Sequence, residues 1–251
     1  MTILQPKFLS EYGILLEPIA FEDHLFIGFK SFLMTVSWVL AFYALKHLPL
    51  TIVSPIRASG PFFTVIGALF IYGERPSWLQ WLGFVLIIFS MFLYARIGKK
   101  EGIDFKRNKW IFSIIGATFF GSSSGLYDKF LIQHKSYSAF TVQWWFFVYV
   151  VLMMFLLVIF FWYPRRKEMG GFKWTWVIPC VGILMTLADF FYFKGLEDPE
   201  VLIVLISAIK RSQILFTVII GGLLFKEVNK RKKIFPLIGV LLGVGCILYA
   251  R

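Results

Sequence analysis

Residues 199–227, PEVLIVLISAIKRSQILFTVIIGGLLFKE, form an apolar run with two adjacent cations, Lys210 and Arg211, near its middle. At ~1.5 Å of rise per residue, the run as a helix is long enough to cross a ~30 Å hydrocarbon core. Cations at that depth are costly unless they meet a polar cavity or a counter-charge, so they mark a site. The phrase has an earlier copy, SPIRASGPFFTVIGALFIYGE, from Ser54 to Glu74. At an offset of 153 residues, Ser54 falls on Ser207, Arg57 on Lys210, Phe63-Thr64-Val65-Ile66 on Phe216-Thr217-Val218-Ile219, and Glu74 on Glu227. A duplicated, cation-bearing apolar segment limits the chain to membrane architectures that give those cations somewhere to face.

Composition agrees. Of 251 residues, 59% are hydrophobic and only 16% charged, which excludes a soluble domain. Aromatics at 20% suit helix interfaces and headgroup-level belts. The net charge of +12 does not point to nucleic acid, because most Lys and Arg lie in short loops between apolar runs. Those runs predict spans at about 25–45, 50–73, 77–95, 110–132, 139–163, 174–195, 200–225 and 233–250, with residues 1–24 too interrupted to span and lacking a leader's features. The expected fold class is an all-α integral membrane protein of eight transmembrane helices, antiparallel in succession because the connections are short. Pro55 and Pro61 should kink the second span around Arg57. Gly121/Gly125 and Gly239/Gly243 are steps for close helix contact. Cys180 and Cys246 read as packing residues, and three histidines show no metal spacing. Paired carboxylates and a Ser-His-Asp set are absent, so the sequence reads as no enzyme, with no cofactor and no metal site.

The duplication extends further. SFLMTVSWVLAFYAL (31–45) matches GILMTLADFFYFKGL (182–196), and FLYAR (92–96) matches ILYAR (247–251). Spans one to three thus repeat as six to eight. A shift of five spans, an odd number, inverts the second copy, as in many secondary transporters. Counterparts for spans four and five are missing from the first copy. The expectation is an incomplete pair of inverted repeats: residues 1–96, a charged linker 97–109, and residues 110–251.

With these features the chain resembles the EamA-like branch of the drug/metabolite transporter superfamily. The resemblance rests on a helix ending Ala44-Leu45 (loosely Gly195-Leu196) and a following helix with an internal Pro or Phe-Thr motif. That second helix closes on Gly73-Glu74-Arg75 or Lys226-Glu227, and a Gly-rich span comes next. It implies a two-repeat, ten-helix fold around a central cavity that moves small metabolites, and by that measure this chain lacks the first two helices. A fragment, completion as a homodimer, or a truncated non-transporting relative acting as a structural or interaction partner all stay open. The adjacent Lys210 and Arg211 are also similar to a Lys-Arg pair that phosphate translocators of the superfamily carry in their penultimate helix, which implies an anionic substrate.

The substrate-binding candidates are Arg57, Lys210, Arg211, Asp189, Ser207 and Trp38. Asp189 offers a counter-charge to the cations, or a proton-coupling carboxylate. Ser207 precedes the Lys-Arg pair on one helix face, and Trp38 aligns with Asp189 in the repeat. Asp128 and Lys129 read as structural, with Lys129 snorkelling to the interface. The expected partners are the lipid bilayer and a small polar or anionic metabolite, in the cytoplasmic (inner, plasma) membrane. Loops after the odd-numbered spans hold sixteen Lys and Arg, and the opposite side holds seven, Lys30 and Lys129 among them. The positive-inside rule then puts both termini outside the cytoplasm.

Overall fold

Where the sequence predicts one kinked second span, the backbone forms two helices joined by a tight turn at Ser59. A computed structural model of the chain describes residues 16–73, 75–100, 105, 107–166, 174–197, 206 and 230–249. Helix α1 is Phe21–His47, followed by α2 (Leu50–Ala58) and α3 (Gly60–Tyr72), which meet at Ser59. Pro61 stands in the first turn of α3, where its missing N–H leaves no intrahelical bond unmade. The chain continues through α4 (Trp78–Lys100), α5 (Lys109–Lys129), a π-helical turn (Phe130–His134), α6 (Ala139–Leu157), a second π-helical turn (Val158–Trp162), α7 (Val177–Leu196) and α8 (Lys230–Tyr249). No strand occurs among the described residues. The expected linker is partly helical, since α4 carries on through residue 100.

Local chemistry fixes the ends. Helix α1 has Glu22 and Asp23 in its first turn and Lys46 and His47 in its last, matching the helix dipole. At the start of α4, Ser77 N–H donates to Gln80 Oε1 (2.8 Å) and Gln80 N–H donates to Ser77 Oγ (3.3 Å), a capping box. Gly73 ends α3 at φ 65°, a left-handed cap that favours glycine, and its N–H reaches the Ala68 carbonyl. Ser138 caps α6 by accepting from the Thr141 N–H at 3.3 Å.

Helices α1, α6 with its π turn (Ala139–Trp162), and α7 are long and apolar enough to cross a membrane. Shorter apolar helical stretches cover Phe62–Tyr72, Trp78–Leu93 and Ile234–Ile247. Large apolar side chains such as Phe70, Phe160 and Phe191 are exposed, as lipid-facing positions are.

The chain divides into two compact units, residues 1–35 with 127–201, and residues 36–126 with 202–251. In the first, the connection between α5 and α6 is tied down from several sides. Gln133 Nε2 donates to the Leu196 carbonyl (3.1 Å), Ala139 N–H donates to Glu197 Oε1 (2.9 Å), and the Tyr137 hydroxyl donates to Asp23. In the second unit, α4 and α8 run antiparallel: Gly83 faces Gly243 and Ile247, while Ser90 faces Gly239. A Cβ on Gly83 would stand 2.5 Å from the Gly243 carbonyl oxygen, and one on Gly243 would stand 2.6 Å from the Gly83 carbonyl oxygen. The Gly239/Gly243 step therefore does what its spacing predicts, and Gly83 is its partner.

Candidate functional site

In the unit formed by residues 36–126 and 202–251, the break at Ser59 gathers polar groups. The turn is closed by backbone bonds, with the Ser59 N–H donating to the Ile56 carbonyl (3.2 Å) and the Phe62 N–H to the Ser59 carbonyl (3.0 Å). Hydroxyls add to them. Ser59 Oγ donates to the Ile56 carbonyl at 2.7 Å, with Thr118 Oγ1 at 3.5 Å from the same oxygen, and Ser122 Oγ donates to the Gly60 carbonyl at 3.0 Å. A cavity of ≈ 220 Å³ lies at the break, lined by Ile56, Ser59, Phe62 and Phe63 among others.

Arg57, in the last turn of α2, is half-buried beside these groups. Its Nη1 donates to Ser37 Oγ on α1 (3.0 Å) and to the Ala117 carbonyl on α5 (3.2 Å). Ser37 Oγ in turn donates to that carbonyl at 2.6 Å. Gly121, one turn after Ala117, leaves the space: a Cβ there would meet Ser37 Oγ at 3.0 Å. Among the described residues, Arg57 is bonded only to neutral groups.

The other unit holds a cation with the opposite surroundings. Lys30 lies nine residues into α1, ~14 Å from its start by helical rise. It is 1% exposed, and its Nζ is 3.2 Å from Asp128 Oδ1, itself at the end of α5 and 2% exposed. The Tyr192 hydroxyl on α7 donates to Asp128 Oδ2 at 3.1 Å. The ammonium also sits 3.3 Å from the ring centroid of Phe146 and 4.8 Å from that of Phe193, within cation–π range of both. Charge, hydrogen bonding and ring faces together surround an almost fully buried pair.

Asp189 is buried, 6% exposed, one turn before Phe193 on the same face of α7. It therefore belongs to the unit that holds Lys30, whereas Arg57 and the half-buried Trp38 belong to the other. Lys210, Arg211 and Ser207 lie outside the described residues. Lys129, expected to snorkel, is instead buried. The sequence reading treats Asp128 as structural and does not foresee its pairing with Lys30. The available signal was a cation about five residues inside the expected span 25–45.

The model of the EamA-like transporter family matches residues 5–96 and 108–249 of this chain. A search of curated proteins found no match.

Proposed function

Since the chain belongs to the EamA-like transporter family, a family of transporters and not of enzymes, we propose that it is a secondary transporter of a small polar or anionic metabolite, with Arg57 as the recognising cation. Membership and the spanning helices make it a multi-pass membrane protein with a transport role. The observation that carries the finer reading is the company Arg57 keeps. A guanidinium in a helix of a membrane protein, beside the turn at Ser59 and bonded only to a serine and a carbonyl among the described residues, has no carboxylate partner there to compete with a ligand. Repeat alignment extends the proposal to Lys210, the position equivalent to Arg57, and to its neighbours Arg211 and Ser207. An inverted-repeat fold of eight spanning helices is part of the same proposal, supported by the antiparallel, reciprocal glycine contact between α4 and α8. We place the protein in the cytoplasmic membrane.

The test is uptake into proteoliposomes holding the full chain, using labelled small carboxylates, phosphates and neutral analogues. Wild type should take up at least one anion, and Arg57→Gln should lose that uptake while reconstituting equally well. Equal uptake by the variant would end the reading.

A further inference from the structure

A guanidinium has five N–H groups fixed in one plane, so the bonds it makes inside the protein decide which edge it shows a ligand. In Arg57, both Nη1 protons are committed, one to Ser37 Oγ and one to the Ala117 carbonyl. The Ser37 hydroxyl proton goes to the same carbonyl, so the serine oxygen meets Nη1 only as an acceptor. The three groups form a closed triangle that holds the Nη1 corner against α1 and α5. Nε and Nη2 remain, with no hydrogen-bond partner among the described residues. That edge carries two parallel N–H bonds, one from each nitrogen, spaced to meet the two oxygens of a carboxylate.

We infer that Ser37, with the Ala117 carbonyl behind it, is a positioning residue that turns Arg57 so that its Nε/Nη2 edge receives a small monocarboxylate. The inference rests on the transport reading of Arg57 and names the substrate class for it. One guanidinium edge pairs with one carboxylate group, and a planar two-oxygen anion uses both parallel donors. A sulfonate can meet the same fork, but it is a far weaker base with its charge spread over three oxygens, so it accepts those bonds more weakly. Gly121 completes the arrangement, because a methyl group there would press on Ser37 Oγ from 3.0 Å and come within 3.8 Å of Nη1.

The experiment measures equilibrium binding of acetate and benzoate, their isosteres methanesulfonate and benzenesulfonate, and neutral benzamide to the purified full chain in detergent. Wild type should prefer the carboxylate of each pair about tenfold, the scale of one charge-assisted hydrogen bond, and should ignore benzamide. Ser37→Ala should bring that ratio towards one, and Ser37→Thr, which keeps a hydroxyl, should recover most of it. Arg57→Lys keeps the charge without the fork and should lose the ratio as well. Gly121→Ala disturbs the serine without touching the binding edge and should also lower the ratio, so it serves if Ser37→Ala does not fold. If Ser37→Ala and Gly121→Ala keep the wild-type ratio while Arg57→Gln abolishes binding, the positioning role is overturned and the transport reading stands. Undiminished benzoate binding by Arg57→Gln overturns both. A wild type that binds neither carboxylate, or prefers the sulfonates, overturns the monocarboxylate assignment.

Discussion

Lys30 and Arg57 are both cations within the helices of a membrane protein, and they keep different company. Lys30 is closed in: a carboxylate at 3.2 Å, two phenylalanine faces and almost no exposure. Arg57 is held at one corner by a hydroxyl and a carbonyl and is half-buried. In one unit the charge is spent on the protein's own structure. In the other, neutral groups aim the charge without consuming it. Depth alone therefore does not tell a structural cation from a recognising one, but its partners do.

The contrast is most exposed to single substitutions at the ion pair. Lys30→Met or Asp128→Asn leaves one buried charge unmatched and should cost about 3–5 kcal/mol, read from unfolding of the purified protein. The double replacement Lys30→Met/Asp128→Leu should recover most of that loss. If each single variant is as stable as wild type, the pair does not hold its unit together.

Next in size, Gly243→Ala should cost about 1–3 kcal/mol, because its Cβ would meet the Gly83 carbonyl oxygen in a backbone-to-backbone contact. That result would show the Arg57 unit depending on packing where the Lys30 unit depends on charge. A neutral effect would mean that α4 and α8 separate easily.

Arg57→Gln should change stability by less than about 1 kcal/mol, since Ser37 and the Ala117 carbonyl keep each other as partners. Anion uptake should nevertheless collapse. A stability loss as large as that of Lys30→Met would erase the distinction between the two cations.

The smallest effect is expected at Tyr137, in the connection between α5 and α6. Partial burial, and then the hydrogen bond to Asp23, raise its hydroxyl pKa above the usual 10.0. A raised folded pKa means that its contribution is intact below pH 10 and fades as pH climbs beyond it, because the unfolded chain ionises first. Tyr137→Phe should cost about 1 kcal/mol at neutral pH and flatten that alkaline decline. An unchanged alkaline profile would assign the decline to other groups.

Most helices were legible because hydropathy over twenty residues is a strong signal, and their observed bounds fall within a few residues of the expected ones. The prolines marked the second span as irregular, though not that Ser59 would divide it in two. Arg57 stood out as a cation flanked by apolar residues. Lys30 did not, because it lies only a few residues inside its expected span and looked like an interfacial charge. Its pairing with Asp128 joins distant parts of the chain, which one sequence alone cannot reveal. Lys30 and Lys129, both counted in the loop census, are buried in helices. Gly83 escaped notice because it has no second glycine four residues away, and its role appears only against α8.

The buried ion pair also has a consequence in time. Ribosomes add ~5–20 residues per second, and Asp128 comes ninety-eight residues after Lys30. For about 5–20 s α1 exists with a cation whose counter-charge has not yet been made, and Tyr192 and Phe193 arrive later still. A lone lysine among apolar side chains is costly until that partner is made. A ribosome stalled before Asp128 would therefore leave Lys30 without its counter-charge.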